Sequence, residues 1–287
     1  MLWFPLALLA TVAIAIFAIL SKYLLKGEKV DPVAYGGLIQ FIVGSYCLIL
    51  IIFTGFNVVI NRNSVLLTLL AGFAYAFASA TYYTAMKHME VSRLVIILSL
   101  EALFTQLTGF IFLQEPFTEK KILAAFLIVF SVLVVSFSLK TLRVAFSRYD
   151  LLVVLNGAVY SLTAMLDSFL INNYYSPLSY QAVNFLLPAF LMLIIFRKNA
   201  KNIPHLFNWR KKGPLLLLTA FFLFLTYVAT FNAYHLGGEV SRVVPIIGTQ
   251  TLIVIILEFF ILKDRQNIGR KILASLFAVI GVFLMQK

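Results

Sequence analysis

Charge is what this chain has least of. Asp, Glu, Lys and Arg make up 12% of its 287 residues, where about 25% is usual for a soluble domain. The hydrophobic fraction is 62%, against roughly 45–50% in soluble proteins. That leaves too little polar side chain to cover a water-exposed globule, so the chain is read as an integral membrane protein. Cys47, the one cysteine, lies inside an apolar run, which excludes an intrachain disulfide and a cysteine-rich zinc site. The three histidines, His88, His205 and His235, fall at the edges of apolar runs. No Gly-rich phosphate loop, Ser/His/Asp arrangement or metal cluster is visible at membrane depth. The expectation is therefore no cofactor, no metal and no enzymatic activity.

Acid is scarcer than base, with 11 Asp and Glu against 23 Lys and Arg and a net charge of +12. A basic chain can bind nucleic acid. Here the cations sit in short loops between apolar runs, where membrane proteins use them to fix orientation. The partner expected is the lipid bilayer rather than nucleic acid, and no obligate protein partner is evident.

Ten apolar runs fall at about 2–24, 33–54, 65–87, 92–114, 120–139, 150–171, 178–196, 213–235, 240–262 and 268–286. Each is long enough to cross roughly 30 Å of hydrocarbon. The expected fold is all-α. Met1 to Leu20 has no basic segment before it and no convincing small-residue cleavage site, so it reads as the first span rather than a signal peptide. Loops are short and punctuated by turn formers, as at Asp31-Pro32, Gly55, Ser176-Pro177 and Gly237-Gly238. The longest, Arg197 to Lys212, is basic and holds Pro204, Phe207 and Trp209, which suits the headgroup level.

The chain repeats itself. Glu90-Val91-Ser92-Arg93 recurs as Glu239-Val240-Ser241-Arg242, a shift of 149 residues that also lays Glu101 on Gln250 and Glu115 on Asp264. Asp31-Pro32-Val33-Ala34-Tyr35 likewise matches Ser176-Pro177-Leu178-Ser179-Tyr180. Residues 1–142 and 143–287 are read as two five-span repeats. Halves with an odd number of spans must face opposite ways, and inverted repeats commonly enclose a site near the bilayer midplane.

With these features the chain resembles the drug/metabolite transporter superfamily, of the ten-helix EamA type. The resemblance rests on the paired halves, on Pro32 and Pro177 opening the second and seventh spans, and on the joint "FLQEPFTEKKILAAFLIVFSVLVV" (112–135) echoed by "ILKDRQNIGRKILASLFAVIGVFL" (261–284). It departs in carrying Asp264 where relatives have Glu, and Gln40 near where many carry a base. The resemblance implies export of a small metabolite, such as an amino acid or drug-like compound, across the cytoplasmic (inner) membrane. A lipid-linked sugar flippase of related fold and a membrane scaffold are the alternatives.

Polar groups inside spans mark candidate sites, because an ionised carboxylate at mid-bilayer costs at least about 2.5–3.5 kcal/mol unless solvated, paired or protonated. Glu101 lies near the middle of the fourth span, with Thr105 and Thr108 on the same face. It either binds a neighbouring helix or lines a cavity, where it would hold a cationic group or carry a proton. In the sixth span Asn156, Tyr160, Thr163 and Asp167 form a polar stripe, facing the cavity or gluing helices. Lys22, at the matching place in the first span, either faces the cavity or snorkels to the interface. Tyr75, Ser79, Tyr82 and Tyr83 on the third span, with Tyr227, Phe231 and Tyr234 on the eighth, could stack on a planar or cationic substrate. Gln181, Asn184 and Pro188 share a face of the seventh span, and Pro188 is a candidate hinge. The cavity set is thus Glu101, Thr105, Asn156, Tyr160, Thr163, Asp167, Tyr82, Tyr227, Gln250, Asn184 and Lys22. Arg93 and Arg242 read as local partners of Glu90 and Glu239.

Orientation draws two answers. Arg62, Lys120, Lys121, Arg242 and Lys287 fall on the side of the termini and the other 18 of 23 bases on the opposite side. By charge that second side is cytoplasmic and the termini lie outside; the resemblance implies termini inside. A reporter fused after Lys287 distinguishes the two.

Overall fold

A computed structural model of the chain describes residues 2–26, 30–113, 119–138, 143–144, 146–203, 209–263 and 266–285. Glu115, Asp264, Pro204, Phe207 and Lys287 lie outside the described residues. The described chain is helical apart from a two-residue antiparallel pairing of Phe137–Ser138 with Arg143–Val144. The first half holds α1 (Trp3–Leu25), α2 (Pro32–Thr54), α3 (Arg62–His88), α4 (Val91–Leu98), α5 (Leu100–Leu113) and α6 (Glu119–Ser136). The second holds α7 (Arg148–Asn173), α8 (Pro177–Ile195), the short α9 (Arg197–Ala200), α10 (Trp209–His235), α11 (Val240–Gly248), α12 (Gln250–Leu257), a π-helical turn (Glu258–Leu262) and α13 (Ile268–Met285).

Eight segments are long and apolar enough to cross a membrane, and Ile122–Ser136 is apolar but shorter. The starts are set by local chemistry. Asp31 caps α2 by accepting from the amides of Val33 and Ala34 at 2.9 and 3.0 Å, and Pro32 gives up no needed donor in the first turn. Asn61 with Ser64, and Ser147 with Asp150, form reciprocal capping boxes on α3 and α7. Gly55 and Gly237 take positive φ of 79° and 83° after α2 and α10, a conformation that disfavours any side chain.

The packing exchanges the two halves. α1 lies on α10 and α3 on α7, α2 lies on α8, and α6 on α13. Swapping halves maps this set of contacts onto itself, the signature of a two-repeat architecture. Small residues make the close crossings. Ala7, Ala10, Ala15 and Ala18 of α1 are fully buried, and a Cβ on Gly281 of α13 would stand 2.9 Å from the Ala124 carbonyl of α6. Large apolar side chains such as Ile52, Phe53, Ile194 and Phe260 face outward, as lipid as the surrounding solvent permits.

Two spans are not continuous. The fourth breaks at Ser99 between α4 and α5, and the ninth at Thr249 between α11 and α12. By contrast α8 runs as one helix through Pro188, so the interruptions lie elsewhere than at the candidate hinge. Both breaks are built alike. The Ser99 hydroxyl donates to the Ile96 carbonyl at 2.6 Å, and the Thr249 hydroxyl to the Ile246 carbonyl at 2.6 Å. Each hydroxyl thus bonds three residues back, as Ser131, Thr163 and Ser275 do inside unbroken helices, so this bond accompanies the break and does not by itself produce it.

Candidate functional site

Both breaks open onto one cavity of about 140 Å³, near the middle of the spans. The volume is close to the ~150 Å³ that accommodates a benzene molecule. Glu101 stands in the first turn of α5 and Gln250 opens α12, so the two face the cavity from half-helices whose N-termini point inward. Ser99 and Thr249 keep right-handed helical backbone, so each interruption is a tightened turn within the span rather than an open gap. α7 passes so close to Glu101 that a Cβ on Gly157 would lie 3.2 Å from the Glu101 backbone nitrogen.

The two carboxyls of the cavity differ in kind. Asp167 is tied down: the Tyr75 hydroxyl donates to one oxygen at 2.5 Å and the Tyr180 hydroxyl to the other at 2.6 Å. It thereby clamps α3, α7 and α8 together. Glu101 has no hydrogen-bond or ion-pair partner among the described residues. No Lys, Arg or His lines the cavity among the described residues. Gln40 donates its amide to the Ser79 hydroxyl, which leaves its carbonyl oxygen buried and unpaired, as are the Gln250 oxygen and both amide atoms of Asn184. Orphaned buried polar atoms are rare, and each calls for a partner.

The walls are aromatic. Tyr75 lies 6.1 Å from Tyr160 and 6.4 Å from Tyr227, and Tyr227 lies 4.9 Å from Phe185, ring centre to ring centre. Tyr82 closes the chain of rings at 6.4 Å from Tyr160. Such rings, set at steep angles, present both faces and edges to the hollow.

Of the residues the sequence offered, Glu101, Tyr160, Asp167, Tyr82, Tyr227, Gln250 and Asn184 meet at this cavity. Four do not. Thr105 donates to the Glu101 backbone carbonyl at 2.8 Å and Thr163 to that of Tyr160 at 3.0 Å, both bonds within their own helices. Asn156 donates to the Ala78 carbonyl at 2.9 Å and to the Thr81 hydroxyl at 2.5 Å, gluing α7 to α3. Lys22 donates to the carbonyls of Met86, Lys87 and Met89 at 2.7, 3.2 and 2.7 Å, capping the C-terminus of α3. The stripe on the sixth span is thus divided, because a helical face about 100° wide reaches both a cavity and a neighbouring helix. In a Cys47→Ser background, Tyr160→Cys is expected to react with small water-soluble thiol reagents. Asn156→Cys and Thr163→Cys should be protected, like Leu162→Cys. Equal reaction at all three polar positions would show the whole stripe to be wet.

A second buried polar cluster was not foreseen. Glu258, 2% exposed, accepts from the amides of Val91 and Ser92 at 2.9 and 3.3 Å, so a carboxylate of the second half caps the N-terminus of α4 in the first. Lys271 lies 3.3 Å from Glu258 and 3.1 Å from Glu90. Glu90 therefore pairs with Lys271, not with Arg93. Arg93 instead holds Asp150 in a two-point bridge at 2.8 and 2.9 Å. Arg242 does pair locally with Glu239, at 2.9 Å. The sequence carried one signal of the cluster: Glu258 and Lys271 are opposite charges 13 residues apart inside neighbouring apolar runs. By the repeat shift they align with Gly109 and Ile122, so the repeat does not reproduce this ion pair.

Among the described residues no three His, Cys, Asp or Glu come together as metal ligands. No curated protein matches the sequence. A solved crystal structure 14% identical to it superposes with a TM-score of 0.65, over 98% of this chain and 96% of that one, and shows the fold alone. The model of the EamA-like transporter family matches twice, over residues 1–137 and again over 147–286. Two helical halves packed by exchange and matched one after the other make this chain a member of the EamA-like transporter family, membrane transporters of the drug/metabolite type.

Proposed function

We propose that the chain is a secondary transporter that exports a small organic metabolite by alternating access around the midplane cavity. Ten spans, arranged as inverted halves over 1–142 and 143–287, would rock about that cavity. The observation that carries the reading is the partnerless Glu101 beside two matched helix breaks, in a cavity with no basic side chain among the described residues. Such a site takes a compact cargo bearing a cationic nitrogen. Glu101 receives the charge, tyrosines flank it through cation–π contact, and the open amides of Asn184, Gln40 and Gln250 meet its remaining polar atoms. Glu101 also serves as the proton carrier, so a proton gradient drives the exchange. Asp167 orders the tyrosines rather than binding cargo. The basic ends of the spans face the cytoplasm, following the charge bias.

Flux into proteoliposomes tests this. With an imposed pH gradient and a pooled set of small amines, amino acids and neutral metabolites, the protein should accumulate cationic or zwitterionic members over neutral ones. Accumulation of none of them, with correctly inserted protein, would remove the reading.

A further inference from the structure

The central cavity is not the largest hollow in the molecule. Where the ends of α1 and α3 meet the starts of α4, α7 and α13, a cavity of about 510 Å³ lies at the basic face. Among the described residues six cationic side chains and three carboxylates line it, an excess of three positive charges with histidine neutral. The carboxylates are all engaged within the wall. Asp150 binds Arg93 and the Ser147 amide at 2.6 Å, Glu258 binds Lys271 and the first amides of α4, and Glu90 binds Lys271. Beyond Arg93 and Lys271, the cations are Lys22, Lys26, Lys87 and Arg270. Lys22 and Lys87 are fixed by backbone carbonyls, Lys87 on that of Val30 at 2.6 Å. Carbonyls hold an ammonium in place without cancelling its unit charge. Lys26 is exposed at the end of α1. Arg270, in the first turn of α13, donates to the Phe137 carbonyl and has further N–H groups to offer.

We propose that this cavity binds a phosphate-bearing anion, with Lys26 and the remaining N–H groups of Arg270 as its direct contacts and Lys22 and Lys87 supplying fixed positive field. Three features select phosphate chemistry. A guanidinium and an ammonium suit a group with several anionic oxygens better than a single carboxylate. The volume exceeds what a bare ion needs and holds an esterified headgroup. Basic hollows between helix ends at the cytoplasmic face also lie where anionic headgroups are presented. The ligand is either an anionic phospholipid or a soluble phosphate ester. The site is separate from the cargo cavity; it takes from the proposed function only the orientation, and the detergent test below reads binding without it.

The test uses the full-length protein in neutral detergent. Thermal unfolding and native mass spectrometry are read with phosphatidylglycerol, with phosphatidylcholine, with glycerol phosphate and with inorganic phosphate. Phosphatidylglycerol should raise the melting temperature and give a retained adduct, and phosphatidylcholine should do neither. The pair Lys26→Gln and Arg270→Gln should weaken the effect by about tenfold or more. Arg197→Gln with Lys198→Gln, on the same face but outside the cavity, should leave it intact. If glycerol phosphate or inorganic phosphate gives the full stabilisation, the ligand is a soluble phosphate; if only the lipid does, it is a headgroup with its chains. No stabilisation by any of them, or stabilisation untouched by Lys26→Gln with Arg270→Gln, overturns the proposal.

Discussion

Glu101→Gln is expected to abolish gradient-driven accumulation in proteoliposomes while leaving the protein folded and inserted. Glutamine keeps the shape of the side chain and accepts hydrogen bonds, but it can neither carry a proton nor balance a cation. The expected fall in accumulation ratio is roughly 5–150-fold, the span of a coupling free energy of about 1–3 kcal/mol. Exchange of cargo against cargo, with no gradient, should survive better than accumulation. In the wild type accumulation should follow the imposed pH gradient, and in the variant it should be flat. Symmetry sharpens the expectation. The repeat partner of Glu101 is Gln250, already neutral, so the substitution makes the two halves alike at the cavity and removes its one carboxyl without a partner. Asp167 is a poor substitute, because two tyrosine hydroxyls occupy its oxygens at 2.5 and 2.6 Å. Wild-type accumulation by Glu101→Gln, with unchanged pH dependence, would make Glu101 a structural residue.

Lys271→Met should give the largest loss of stability of any single substitution at the basic end. Lys271 is 3% exposed and lies between Glu258 and Glu90. Removing it leaves Glu258 charged, buried and without its counter-ion, and breaking a buried pair from one side costs about 3–5 kcal/mol. Glu258→Gln in the same background should recover most of that, since a neutral amide oxygen still accepts from the α4 amides. Thermal unfolding in detergent across the four members of this cycle reads the coupling directly. If Lys271→Met and the double variant unfold at the same temperature, the carboxylate is sustained by the helix N-terminus alone.

What the sequence made legible was whatever leaves a one-dimensional trace. Hydrophobic runs marked the spans, and a fixed shift of 149 residues aligned Glu101 with Gln250. A polar residue in an apolar run stands out because hydrocarbon penalises it, which is how Glu101, Asp167, Tyr160 and Asn184 came to notice. The sequence does not say which neighbour a polar residue meets. Asn156 and Tyr160 sit one turn apart, yet one bonds α3 and the other faces the cavity. Arg93 and Arg242 share an identical tetrapeptide, yet Arg93 reaches across to Asp150 of α7 while Arg242 bridges to its own neighbour Glu239. The helix breaks were equally hidden. Pro245 and Gly248 hint at the one in the ninth span, but only Ser99 marks the one in the fourth.

The break at Ser99 divides the fourth span between two sets of neighbours. α4 leans on α12 and α13 as well as α7, with Glu258 fastened to its first turn, whereas α5 rests on α7 and α11. A continuous rod would transmit a tilt at one membrane face straight through to the other. Interrupted beside Glu101, the span has one end fastened to Glu258 and the other resting on α7, where Gly157 keeps α7 seated against the start of α5. In the alternating-access motion proposed above, this junction would let the two ends of the span follow different neighbours.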